Sequence, residues 1–196
     1  MFSVLLLTLH YAARTQSHRI ELSPVFTIWS TDASDRKEPS GNFKPPHLNI
    51  TVLEEIANLV GDRPVKVVSI VGGYHEGKSS FLNALLGADC FDVGERYEHE
   101  TKGFNVVIRL DTNDALQPAS LIIDTPGSGA LDTSAAIQAA NFGAAYLISS
   151  TLVYNKKGVL IDVHSLQNLA DLLRTSISVT ATIPGWKLKR LFLIAY

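Results

Sequence analysis

The 196-residue chain has a single cysteine, a single methionine and no excess of either charge: 17 Lys and Arg stand against 19 Asp and Glu. Cys90 alone cannot close an internal disulfide or supply a zinc cluster, so a disulfide scaffold is excluded. A formal net charge of −2 gives no general electrostatic reason to expect nucleic acid or an anionic bilayer as a partner. With 13 glycines and 8 prolines there is too little of either for a collagen-like or low-complexity chain. No apolar run reaches the ~20 residues of a membrane-spanning helix, and no repeat recurs at solenoid or propeller periods. What is present is 46% hydrophobic and 18% charged residues, enough to bury one core of ordinary size.

Residues 1–21 read as an N-terminal extension outside the fold. The run FSVLLLTL at 2–9 has the length of a short signal-peptide core, but no basic segment precedes it and the His10-Tyr11 pair stands directly after it. A brief apolar stretch at 24–29 leads into 30–46, rich in Ser, Asp, Lys, Gly and Pro and read as loop or linker. Asn49-Ile50-Thr51 fits a glycosylation pattern. The favoured alternative is a helix N-terminus with Thr51 and Glu54 as a capping box and Leu53, Ile56, Ala57 and Val60 as its apolar face.

Strand and helix signals then alternate. VKVVSIV at 65–71 is β-branched and nearly all apolar, as in a central strand covered on both faces. A helix is predicted over 78–86, with Phe81, Leu82, Leu85 and Leu86 at helical spacing, and another over 163–173 on Leu166, Leu169, Ala170 and Leu173. Further strands are predicted at 104–110, 120–123, 146–149 and 191–194. The order implies an α/β fold with a mostly parallel sheet and helices on its faces.

Gly72-Gly73-Tyr74-His75-Glu76-Gly77-Lys78-Ser79 satisfies G-x-x-x-x-G-K-S at every fixed position, between a predicted buried strand and a predicted helix. In that context successive backbone N–H groups and the helix N-terminus converge on phosphate oxygens. Lys78 then brings a point charge to the β- and γ-phosphates, and the Ser79 hydroxyl is a Mg²⁺ ligand. The competing reading is a glycine-rich turn with a chance lysine. Asp124-Thr125-Pro126-Gly127 comes after the apolar strand Leu121-Ile122-Ile123; there Asp124 can hold Mg²⁺ through water, and Gly127 can offer its N–H to the γ-phosphate. Alone the tetrad is an ordinary turn. Thr101, in Glu100-Thr101-Lys102-Gly103, is a third candidate, its hydroxyl on Mg²⁺ and its N–H on the γ-phosphate. The six histidines show no metal-ligand spacing, Tyr154, Lys156 and Lys157 read as a solvated turn, and the basic run at 186–190 reads as a solvated face.

Taken together, GGYHEGKSSFLNALLG, TKGFNVVI, LIIDTPGSGALD and AYLISSTLVYNKKG resemble successive parts of the dynamin-related large GTPases of the guanylate-binding protein and atlastin type. They are similar to that group's phosphate loop and first helix, its two switches, and its strand with a Ser-Ser-Thr-x-x-Tyr-Asn stretch. The resemblance covers about residues 22–196 and implies a three-layer P-loop NTPase fold and a Mg²⁺-dependent domain that binds and hydrolyses GTP. It implies a nucleotide site of Gly72, Gly73, Tyr74, His75, Glu76, Gly77, Lys78, Ser79, Ser80, Thr101, Asp124 and Gly127. Lys78, His75 and Thr101 would act in catalysis, and Ser79, Thr101 and Asp124 on the metal. It further implies a cytoplasmic protein forming a nucleotide-dependent homodimer through the G domain, with membrane association only through regions beyond this chain.

In that group an Arg-Asp pair reads guanine just after a strand that 191–194 resembles, and the sequence stops at Tyr196. The G domain is therefore expected to be C-terminally incomplete, and guanine preference rests on the resemblance alone. Three positions depart from the group's pattern: His75 where an arginine finger is common, His99 where guanylate-binding proteins have serine, and Pro126 where they have glutamate. An arginine finger contributes about 10³ to 10⁵ in rate, and imidazole lacks its planar fork and fixed charge. The alternative function is thus a GTP-gated interaction module with little or no hydrolysis. An ATPase or kinase using the same loop is a third possibility. For His75 and Glu76 the competing placement is that both face solvent.

Overall fold

The computed structural model describes residues 19–30, 47–93, 103–128, 135–158, 163–183 and 190–195. His99 and Thr101 lie outside the described residues, as do residues 1–18, the 31–46 linker and most of the 186–190 run. Eight strands and four helices are described: β1 (Ile20–Leu22), β2 (Phe26–Ser30), β3 (His47–Leu48), α1 (Ile50–Val60), β4 (Val65–Gly72), α2 (Lys78–Leu86), β5 (Gly103–Asp111), β6 (Ala119–Asp124), α3 (Ala135–Ile148), β7 (Thr151–Lys156), α4 (Val163–Thr180) and β8 (Leu191–Ala195).

One sheet has the order β3-β2-β5-β6-β4-β7-β8, with β1 pairing to β5. β4 runs parallel to β6 and β7, and β7 parallel to β8. β5 is antiparallel to β6, β2 and β1, so among the described strands only β5 and β3 run against the others. The predicted, mostly parallel sheet is therefore correct in strand direction from β6 to β8, with the reversed β5 set beside them. β1 reaches into the segment that the sequence assigns to an N-terminal extension.

Alternation along the strands divides the core in two. Val71, Phe104, Val106, Ile108, Ile123 and Leu152 face α1, α3 and α4, where Ile56, Val60, Phe142, Ala145, Tyr146 and Leu169 meet them. Their neighbours Ile70, Val107, Ile122 and Val153 face the opposite side, where Leu82 and Phe81 of α2 and the more distal Phe91 cover them. The result is the three-layer α/β arrangement of the P-loop NTPase fold, with β4 in the middle of the sheet and the loop 73–77 leaving its end. Among the described residues no helix is long and apolar enough to cross a membrane.

Most elements match their predicted positions; α2 does so at both ends. Three corrections have local causes. The α1 cap is Asn49, whose side chain accepts from the Val52 N–H, and Ala57 is exposed while Ile56 and Val60 are buried. The strand predicted at 146–149 is instead the last turn of α3, and the strand begins at Thr151. A short apolar run does not distinguish buried helix from strand; Phe142, Ala145 and Tyr146, at helical spacing, all enter the core. Finally, α4 continues past 173 to Thr180, with Ser176 buried.

Candidate functional site

Between β4 and α2 the chain makes a tight arch. Gly77 takes a left-handed conformation (φ 72°) at the N-cap of α2, and no side chain caps that helix. The first N–H groups of α2 are thus left to whatever the arch encloses, at the positive end of the helix dipole. Lys78 opens α2 yet is only 7% exposed, because its ammonium turns back and donates to the Gly73 carbonyl at 2.9 Å. Burial pushes the Lys78 ammonium below its ordinary pKa; the negative charges of Asp124 and Glu76 pull it partly back.

The end of β6 supplies the second half of the site. In register beside Ile70 of β4, Asp124 is fully buried, and its Oδ2 accepts from the Ser79 hydroxyl at 2.6 Å. Thr125 donates from its hydroxyl to the Ile70 carbonyl. Beyond it the chain runs along the arch: the Tyr74 N–H donates to the Ser128 carbonyl and the Ser128 N–H to the Gly72 carbonyl. The approach is too close for a side chain at Gly127, where a Cβ would lie 2.6 Å from the Tyr74 Cα.

The sequence-predicted residues therefore separate into groups. Gly72, Gly73, Tyr74, Glu76, Gly77, Lys78, Ser79, Asp124 and Gly127 converge at the ends of β4 and β6. Ser80 is exposed on the first turn of α2. His75 is exposed at the top of the arch with φ 55°, an uncommon angle for a residue with a side chain, and its ring lies 3.8 Å from that of Tyr74. Glu76 does not share its exposure. Its carboxylate is buried, accepting from the Gly73 N–H at 2.7 Å and pairing with Lys156 at 2.7 Å.

Sequence reasoning missed the contribution of β7. Lys156, read as part of a solvated turn, is the cation on Glu76, and the fully buried Asn155 donates its side-chain amide to the Glu76 carbonyl. No local pattern carries that signal, because the partners are 79 and 80 residues apart. Chemically the arrangement offers backbone donors, one buried ammonium, and a hydroxyl beside a carboxylate. Hydroxyl and carboxylate are hard oxygen ligands of the kind Mg²⁺ takes together with phosphate oxygens.

Comparison with known proteins agrees with that chemistry. Residues 45–182 match the family model described as guanylate-binding protein, N-terminal domain. Human guanylate-binding protein 4 is 30% identical over 181 residues, which cover 85% of this chain and 26% of that protein. Mouse guanylate-binding protein 5 is 34% identical over 120 residues, covering 58% of this chain and 20% of that protein. The chain thus spans about a fifth to a quarter of the length of these relatives. Among solved structures, the G domain of the T. maritima FeoB iron transporter matches with a TM-score of 0.39 and 17% identity, over 67% of this chain and 71% of that one. With the family model matched over more than half of its length and through the whole phosphate arch, the chain belongs to the guanylate-binding protein family.

Proposed function

We propose that this chain is the nucleotide-binding part of a Mg²⁺-dependent GTPase that binds GTP, hydrolyses it to GDP and pairs with a second copy when loaded. The observation that carries the reading is the meeting of Ser79 and Asp124 at 2.6 Å beside the buried Lys78, at the uncapped start of α2. The N–H groups of the arch and of α2 receive the β-phosphate, and Lys78 lies across the β- and γ-phosphates. Ser79 and Asp124, with Thr101 as the family resemblance implies, would hold Mg²⁺, which when bound would neutralise charge on the phosphate oxygens. The Gly127 N–H, and Thr101 as the resemblance implies, would meet the γ-phosphate, and His75 would approach it from the top of the arch. Guanine as the base, and the homodimer, follow the family to which the chain belongs; the relatives' names say that they bind guanylate.

Calorimetry with GTP and ATP tests the reading. GTP is expected to bind more tightly, Mg²⁺ to strengthen it, and Ser79→Ala to abolish the Mg²⁺ enhancement while leaving weaker, metal-free binding. Uptake of neither nucleotide, or tighter uptake of ATP, refutes it. Sedimentation with a non-hydrolysable GTP analogue tests pairing; a monomer at all concentrations removes that part.

The exposed His75 at φ 55° favours one second reading, a GTP-gated interaction module with little hydrolysis. A histidine there supplies neither permanent charge nor a fork of donors to the γ-phosphate. Single-turnover hydrolysis decides between the two. A rate no higher than that of a Lys78→Ala variant selects the module.

A further inference from the structure

A carboxylate inside a phosphate-binding loop is a problem in electrostatics, because it opposes the ligand. Glu76 is that carboxylate, and the fold answers it from β7. Its Oε1 lies 2.7 Å from the Lys156 ammonium, in a pair whose side chains are 10% and 23% exposed. Its Oε2 accepts from the Gly73 N–H, so the side chain is folded back over its own loop; a Cβ on Gly73 would lie 2.7 Å from the Glu76 Cδ. Asn155 grips the Glu76 carbonyl through its side chain, and its own carbonyl packs against Gly72, where an added Cβ would be 2.2 Å away. The last two residues of β7 therefore hold both the backbone and the charge of the arch.

Charges alternate through the site: Lys156, Glu76, Lys78, Asp124. Removing the outermost cation shifts the whole row toward negative where an incoming triphosphate lies. It also frees the carboxylate to leave the Gly73 N–H.

We propose that Lys156 is a positioning residue for the phosphate loop: by pairing with Glu76 it fixes that carboxylate and offsets its charge, so triphosphate affinity depends on Lys156 through Glu76 rather than through contact with phosphate. The inference rests on the nucleotide-binding reading above.

A double-mutant cycle on the whole chain, read by calorimetry with Mg²⁺-GTP, tests it. Lys156→Ala is expected to weaken binding about tenfold, since it leaves a partly buried negative charge beside the phosphates. Glu76→Gln keeps an acceptor for the Gly73 N–H without the charge and is expected to bind more tightly than the parent. The combined variant returns to within about threefold of the parent, because the charge that Lys156 offsets is gone. Lys156→Arg, which keeps the cation, retains most of the affinity, and Lys156→Gln replaces the alanine variant if the latter does not fold. A double variant as weak as Lys156→Ala means that Lys156 meets the nucleotide directly and overturns the proposal, as does an unchanged Lys156→Ala. If the parent chain takes up no nucleotide, the nucleotide reading itself fails, and this inference with it.

Discussion

Replacing Lys78 with methionine is expected to move two quantities in opposite directions. Lys78 is 7% exposed, and the substitution keeps most of its aliphatic stem while removing the ammonium that lies 2.9 Å from the Gly73 carbonyl. Two unit charges ~4 Å apart near a protein surface attract by about 4 kcal/mol, and a single charge-assisted hydrogen bond contributes about 1.5–3 kcal/mol. Allowing for the ammonium's desolvation, the loss of nucleotide affinity comes to ~3 kcal/mol, a factor of about one hundred or more. Without nucleotide the balance reverses, because burial outweighs the attraction of Asp124 and Glu76 for the ammonium. Removing the charge then relieves a cost, set against the loss of one hydrogen bond to the Gly73 carbonyl. The nucleotide-free variant should melt no lower than the parent. Calorimetry with Mg²⁺-GTP and a thermal melt of the empty protein read the two effects separately. A dissociation constant within threefold of the parent's would refute the assignment of Lys78 to phosphate. A fall in stability of the size of a core truncation, ~2 kcal/mol or more, would refute the account of its burial.

The same lowered pKa sets a pH dependence for the empty protein. Below the folded pKa, Lys78 is charged in both states and its burial cost is fully present; between that value and the unfolded 10.5 only the unfolded chain keeps the proton, so stability rises with pH. The difference in melting temperature between the parent and Lys78→Met should therefore shift in the parent's favour on the alkaline side, and a flat difference contradicts this. Gly127→Ala forces a Cβ to 2.6 Å from the Tyr74 Cα, a backbone contact that no rotamer relieves. It is expected to cost ~1–3 kcal/mol in urea unfolding and to weaken nucleotide binding; an unchanged protein would show that the two loops are not packed in this way. Asn83 is buried, donating to the Phe91 carbonyl and accepting from the Cys90 and Phe91 N–H groups. Asn83→Ala is expected to lose roughly 3 kcal/mol through the buried groups left unpaired, and a loss under ~1 kcal/mol would mean that water replaces the amide.

The phosphate arch was legible in the sequence because its chemistry is local. Gly72 through Ser79 are adjacent in the chain, and the helix 78–86 was visible from four apolar residues at one spacing. β4 was legible as a central strand because a β-branched, nearly all-apolar run suits burial on both faces, which the strand reaches over its second half. The strand predicted at 146–149 is instead helical up to Ile148 because so short an apolar run does not separate the two periodicities: Tyr146 is buried and Ile148 exposed, as a helix face allows. Fold class, the arch, and Asp124 as a carboxylate directly after an apolar strand were thus determined by the sequence on its own, since each depends on neighbours a few residues apart. Only the tertiary structure decided that Ser79 meets Asp124 across 45 residues, and that Glu76 turns inward to Lys156 and Asn155 instead of outward beside His75. Those contacts depend on which strands lie side by side and in what register, and long-range pairing of that kind leaves no mark on the spacing of residues along the chain.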